Sequence, residues 1–339
     1  MIEGSESFRS TKKGVHMEFT SIGRSGLKVS RICLGTMNFG VDTEEREAFR
    51  IMDAALDAGI NFFDTADIYG WGENAGTTER ILGRWFALGG GRRERVVLAT
   101  KVHEDICDRN DGPNSAAGLS AYKIRRHLEG SLKRLQTEHV ELYYMHHIDR
   151  RVTWDELWDA LQLTVLQGKV DYIGSSNFAG WDMAVAQAAA KNRHFFGLVA
   201  EQHKYNLNCR LPELEVLPSA LAHGIGIIPW GPLDGGYLGS NALTGKGKRS
   251  TALRSEEQIR QLEQFRDLSA DVGESQNNIA LAWLLANPAV TCPVVGPRTL
   301  EQFEQGLRSL EIDLTADVLK RLDEIFPGPG GSAPTAYAW

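Results

Sequence analysis

Four residues invite a chemical reading before any other: Asp64, Tyr69, Lys101 and His146. Each stands at or just past the end of a short apolar run, the runs being residues 61–64, 96–101 and 140–144. A free tyrosine titrates near ~10, too high for a ready proton donor at neutral pH. A lysine cation beside it favours the phenolate and draws that value down. A lysine entering a half-buried place needs a carboxylate partner, which Asp64 supplies. A histidine beside the phenol orients a carbonyl oxygen or shares the proton. The set describes a general acid aimed at a carbonyl that is becoming an alkoxide. Taken singly, these residue types have plainer roles: a solvated rim lysine, a core tyrosine, a structural histidine. Their joint occurrence at the ends of three successive strands carries the reading.

The elements that must position them follow from periodicity. Strand-length apolar runs occur at 31–34, 61–64, 96–101, 140–144, 172–175, 198–202, 225–229 and 290–295. Between them, apolar residues recur at helical spacing, as Phe49, Met52, Ala55 and Leu56 do within 43–58, and Ile124, Leu128, Leu132 and Leu135 within 121–135. Trp154, Leu157, Trp158, Leu161 and Val165 form another stripe. Further helices are predicted at 77–87, 181–191, 211–223, 277–286 (stopped by Pro288) and 299–310. Eight strand–helix alternations fit a doubly wound sheet or a (β/α)8 barrel. The count favours the barrel, and no GxGxxG follows a strand. A hairpin is expected at 19–29 around Arg24-Ser25-Gly26, and helices outside the repeat at 258–271 and 316–325. The reading is therefore a polar tail at 1–16, one (β/α)8 TIM barrel domain at 17–326 with an N-terminal β-hairpin and two additional helices, and a tail at 327–339. The long loops 70–77, 102–119 and 230–255 follow strands, which places them on the C-terminal face where barrels keep their chemistry.

Composition narrows the partners. The 339 residues are 42% hydrophobic and 24% charged, an ordinary globular balance, so a disordered or fibrous chain is excluded. A net charge of −7 offers no basic field for nucleic acid or an anionic membrane. No apolar run approaches the ~20 residues that span a bilayer, and the first residues lack the apolar stretch of a signal peptide. Cys33, Cys107, Cys209 and Cys292 are widely spaced, which points to a reduced cytoplasmic protein without structural zinc. The adjacent His146 and His147 would face opposite sides of an extended chain, so no metal site is expected. The sequence leaves homo-oligomerisation open.

The stretches GINFFDTADIYG, VVLATKV, ELYYMHHID, GKVDYIGSSNF, VAEQHKYNL, IIPWGPLDGG and VVGPRTLEQFEQ together resemble the aldo-keto reductase superfamily from about residue 19 to 326. The longer bacterial members related to potassium-channel β subunits and to deoxysugar-pathway reductases are the most similar. The resemblance implies NADPH/NADP+ as cofactor, a small-molecule carbonyl substrate, and a catalytic tetrad of Asp64, Tyr69, Lys101 and His146. It assigns cofactor contacts to Gly35, Thr36, Met37 and Asp64 at the first strand ends, and to Ser176, Asn177 and Gln202 around the nicotinamide carboxamide. Trp230 is implied to stack on the nicotinamide, Pro232, Leu233 and Gly235 to follow the pyrophosphate, and Gly296, Arg298, Gln302 and Gln305 to take the adenosine end. Phe39, Trp71, His103 and His147 are expected to line the substrate pocket. Three features depart from the family pattern: Gln305 stands where Asn is common, His147 where Trp is common, and the usual pyrophosphate lysine has only Lys246, Lys248 and Arg249 as candidates. Channel β subunits also imply an alternative, an NADPH-binding regulatory or redox-sensing subunit.

Overall fold

The computed structural model describes residues 17–244 and 254–336; Lys246, Lys248 and Arg249 lie outside them. A two-stranded antiparallel hairpin opens the described chain, β1 (Phe19–Ser21) and β2 (Lys28–Ser30). Eight parallel strands follow: β3 (Cys33–Gly35), β4 (Phe62–Asp64), β5 (Val97–Val102), β6 (Val140–Met145), β7 (Val170–Ser176), β8 (Leu198–Lys204), β9 (Gly226–Trp230) and β10 (Val294–Val295). Their order in the sheet is β10-β3-β4-β5-β6-β7-β8-β9. The Ile227–Val290 bridge brings the two ends of the sheet toward each other, so it forms a nearly closed barrel. The helices α1 (Glu45–Asp57), α2 (Thr77–Ala87), α3 (Ala121–Leu135), α4 (Trp154–Leu166), α5 (Gly180–Asn192) and α6 (Val216–His223) each link one barrel strand to the next. After β9 come α7 (Glu256–Val272) and α8 (Gln276–Ala286), and after β10 come α9 (Leu300–Leu307) and α10 (Ala316–Ile325). This is a (β/α)8 TIM barrel, with α7 and α10 as the additional helices.

Strand alternation divides the core into two layers. Cys33, Phe62, Ala99, Leu142, Tyr144, Ala200 and Ile228 pack inside the barrel. Leu34, Phe63, Leu98, Tyr143, Ile173 and Ile227 face the helices. Ile22 and Val29 of the hairpin pack into the inner layer, and the Gly23 turn sits against the backbone of Val199, Gly224 and Gly226. The hairpin therefore closes the end of the barrel where the strands begin. The predicted helix 211–223 is two pieces, a 3-10 turn at Leu211–Glu213 and then α6. Pro212 suits the first turn, where its missing N–H costs nothing. Within the C-terminal tail, the Ala333 N–H donates to the Leu214 carbonyl.

Helices α2 and α3 approach so closely at Gly83 that a β-carbon there would overlap the backbone carbonyl of Arg134. Alanine is normally favoured over glycine in a helix by about 1 kcal/mol. Here the backbone overlap reverses the sign, and Gly83→Ala is expected to lose about 1–3 kcal/mol of stability. A urea midpoint at or above the parent's would contradict that packing.

Candidate active site

Alternation decides what stands at the mouth of the barrel. Asp64 has the inward parity of Phe62, Lys101 that of Ala99, Gln202 that of Ala200 and Trp230 that of Ile228, so these four side chains lie inward toward the C-terminal ends of their strands. Lys101 lies wholly buried there. An ammonium carries three N–H donors, and all three are used. They reach Asp64 Oδ1 at 2.5 Å, the Thr65 carbonyl at 2.9 Å and the Tyr69 hydroxyl oxygen at 3.0 Å. The second oxygen of Asp64 accepts from Gln202 Nε2 at 2.8 Å. Thr36 donates to the Asp64 carbonyl from both its N–H and its hydroxyl, which ties the end of β3 to β4.

The electrostatics follow from burial and these contacts. Burial pulls the Lys101 ammonium down, but the Asp64 charge and the Tyr69 oxygen outweigh it and push the value up to about 12. Tyr69 departs from the simple expectation: burial raises its phenol above the ordinary value, and Lys101 only partly offsets that rise. The phenol is thus fully protonated at neutral pH. Because Lys101 donates to the phenol oxygen, the phenol O–H is left to donate elsewhere.

His146 stands beside Tyr69 edge-on, with ring centroids 6.1 Å apart. Burial, then Lys101, His147 and His103, hold its imidazole well below the ordinary histidine value. It is neutral at pH 7, and its buried Nδ1 has no hydrogen-bond partner among the described residues. The expectation that His147 points away is corrected. β6 ends at Met145 and the chain bends there, so the extended-strand argument lapses, and the two rings stack at 5.4 Å. His147 also meets the His103 ring at 5.3 Å, and Glu104 faces both imidazoles, at 3.1 Å from His103 Nδ1 and 3.5 Å from His147 Nε2. Trp71, 43% exposed, lies 6.0 Å from the Tyr69 ring on another side of the mouth. Phe39 is a second correction. It sits in the turn after β3, its N–H donating to the Thr36 carbonyl, and its side chain is fully buried in the layer between barrel and helices, away from any open pocket.

The residues assigned to a cofactor fall in two groups. Ser176, Asn177, Gln202 and Trp230 gather at the rim. Asn177 takes a left-handed backbone (φ 59°); its Nδ2 donates to the His146 carbonyl and to Ser176 Oγ, and its Oδ1 accepts from Trp230 Nε1. Each Asp64 oxygen accepts one bond inside the protein and the Gln202 amide nitrogen donates one, so Gln202 keeps its carbonyl and its second N–H for other partners. Pro232, Leu233 and Gly235 lie in the turn after β9, where Gly235 has φ 64°. The second group surrounds β10. Gly296 accepts from Asn38 Nδ2, the Arg298 carbonyl accepts from Thr43, and the Arg298 N–H donates to Gln302 Oε1. The Arg298 guanidinium makes no ion pair among the described residues and stands just before α9, whose Leu300 N–H donates to Glu47 Oε1 and whose Gln302 N–H donates to Thr299 Oγ1. Gly35 is buried against Val294, and Met37 packs on Ala66, Ile68 and Tyr69. Gln305 is exposed and bonded to Glu301. These donors fit a nucleotide, with amide groups at one end and an unpaired cation at the other.

Sequence reasoning missed several supports. Glu201, of outward parity, accepts from Ser175 and from the Phe178 N–H, holding the turn that presents Ser176 and Asn177. Lys204 pairs with Asp234 at 2.8 Å across the turn after β9. Only spacing hinted at the first, since Glu201 is the sole carboxylate in an otherwise apolar strand start.

A parallel barrel whose C-terminal mouth holds ionisable groups is the architecture of a wide class of barrel enzymes. The model of the aldo/keto reductase family matches residues 31–326, and the chain belongs to that family. It is 62% identical to the uncharacterized oxidoreductase YrpG of Bacillus subtilis, over 95% of this chain and all of that one. It is 29% identical to versiconal hemiacetal acetate reductase of Aspergillus parasiticus, over 91% of this chain and 96% of that one. A probable voltage-gated potassium channel subunit beta of rice is 30% identical, over the same shares. The chain is thus an oxidoreductase of this family. Among the described residues no helix is long and apolar enough to cross a membrane.

The lowered value of His146 has a consequence for stability. As pH falls below 6.5, the unfolded chain takes up a proton that the folded ring refuses, so stability present above that pH is lost on acidification. His146→Gln cannot titrate, and it should lose less unfolding free energy than the parent between pH 7 and pH 5. Parallel losses in urea titrations of the two proteins would remove His146 as the cause.

Proposed function

We propose that the protein reduces an aldehyde or ketone to the alcohol, with NADPH as the reductant and Tyr69 as the general acid. The observation that carries this is the Lys101 bond to the phenol oxygen, which leaves the Tyr69 proton free to face a carbonyl. When bound, a nicotinamide nucleotide would supply the hydride. Neutral His146 offers one ring N–H to the carbonyl oxygen and orients it. As the Tyr69 proton moves to the developing alkoxide, the Lys101 cation stabilises the phenolate left behind. Asp64 keeps that buried cation paired. Ser176, Asn177 and the Gln202 carbonyl would hold the carboxamide, Trp230 the ring face, and Arg298 the 2′-phosphate. The pocket wall of Trp71, His103 and His147 suits a bulky polar carbonyl, such as a nucleotide-linked keto-sugar or a natural-product intermediate. A cytoplasmic setting supplies the nucleotide. The similarity to a channel β subunit favours a second reading, a nucleotide-binding regulatory subunit. Oxidation of NADPH on mixing with a carbonyl panel distinguishes the two, since a purely regulatory subunit would not turn over.

Tyr69→Phe is expected to bind NADPH like the parent and to lose at least ~10²-fold in turnover; parent-like turnover would sink the assignment of the acid. Arg298 supplies a separate check on the cofactor. A charge-assisted contact is worth about 1.5–3 kcal/mol, or about one to two decades in affinity. Arg298→Ala should weaken NADPH by that amount and leave NADH nearly unchanged, as read by quenching of tryptophan fluorescence. An equal loss for both nucleotides would show that Arg298 does not read the phosphate.

A further inference from the structure

Behind the loop that carries Tyr69, a second set of buried ionisable groups runs from the end of β4 to the loop after β5. His127, on α3, lies between two carboxylates. Its Nδ1 is 2.8 Å from Asp67 Oδ2 and its Nε2 is 3.1 Å from Asp111 Oδ2. All three side chains are buried. Asp111 also receives the Arg126 guanidinium. Asp67 Oδ1 has no partner among the described residues, so His127 is the side-chain anchor of that carboxylate.

The two ends of this chain hold different parts of the mouth. Asp67 stands between Thr65, whose carbonyl takes Lys101, and Tyr69 itself; its own N–H reaches the Lys101 carbonyl at 3.3 Å. Asp111 belongs to the loop 103–119, whose first residues, His103 and Glu104, form the wall of the mouth beside His147. Helix spacing explains the grip on that loop. Lys123, Arg126 and His127 share one face of α3. Lys123 donates to the Ser115 and Ala116 carbonyls while Arg126 and His127 hold Asp111. A long loop that would otherwise wander is fastened to the same helix as the acid loop.

We infer that His127 is a positioning residue: by bonding Asp67 with one ring nitrogen and Asp111 with the other, it fixes the distance between the Tyr69 acid and the His103–Glu104 wall. The inference rests on the reductase reading for its consequence in turnover. The plainer role is a buried ion network that supports folding alone. The two carboxylates separate these roles, because each controls one loop.

Asp111→Asn releases the wall, so KM for the carbonyl should rise about tenfold with kcat near the parent's. Asp67→Asn releases the acid loop, and kcat should fall by about tenfold to a hundredfold, the scale of an ångström's misplacement, with KM little changed. His127→Leu should show both effects. Hydrogen exchange gives a readout that needs no turnover and serves even if Asp67→Asn folds poorly: Asp111→Asn should speed exchange in residues 103–119 alone, and His127→Leu in both 103–119 and 65–70. If the parent reduces no carbonyl, the reductase reading fails while exchange still judges the clamp. Variants that lose stability but keep the parent's kcat and KM, or that leave exchange unchanged in both loops, overturn the positioning role.

Discussion

The ammonium of Lys101, buried in the inner layer of the barrel, constrains everything around it. A lone charge in such a place would cost several kcal/mol, and removing its partner would cost about 3–5 kcal/mol. The structure answers with three acceptors for three protons: Asp64 Oδ1, the Thr65 carbonyl and the Tyr69 oxygen. Each acceptor must then be held in its turn. Gln202 takes the other Asp64 oxygen, Thr36 takes the Asp64 carbonyl, and the Asp67 N–H takes the Lys101 carbonyl. The rim of the barrel is organised by the demand that one buried cation be fully paired.

That same pairing sets up an acid. Burial would leave Tyr69 a protonated phenol of little use if nothing stabilised its anion. Lys101 sits where the anion forms, and it can only donate, so it never competes for the phenol proton. Neutral His146 complements this, because a second cation beside Lys101 would be repelled. The two imidazoles at the mouth, His103 and His147, add to the pressure that keeps His146 uncharged.

The region around Arg298 depends on a different constraint, the closure of the sheet. β10 pairs with β3, and this brings residues 296–302 against the first strand's loop. Asn38 and Thr43 then bond the carbonyls of Gly296 and Arg298. Neither end of the chain contains this arrangement alone; it exists because the last strand returns beside the first. The glutamate under the Ser176–Asn177 turn and the Lys204–Asp234 pair serve similar ends on the other side of the barrel.

The period-2 strands and the helical stripes between them were legible in the chain, because each depends on local spacing. From them the eight-strand count and the rim placement of Asp64 and Lys101 follow, since each ends an apolar run, whereas Gln202 and Trp230 rest on the family resemblance. Beyond the last residue of a strand that reading stops. The chain bends after Met145, and the stacking of His147 on His146 depends on that bend. Phe39 follows β3 by a few residues, and only packing decides that it enters the core and not the pocket. The Gln202–Asp64 bond, the His127 bridge between Asp67 and Asp111, and the net rise of the Tyr69 phenol join residues up to 138 positions apart. Residue types and local spacing determined the strands, the helices and which side chains point inward. Tertiary structure decided which of these meet and how charged they are, because contact distance and burial arise only once distant strands share one layer.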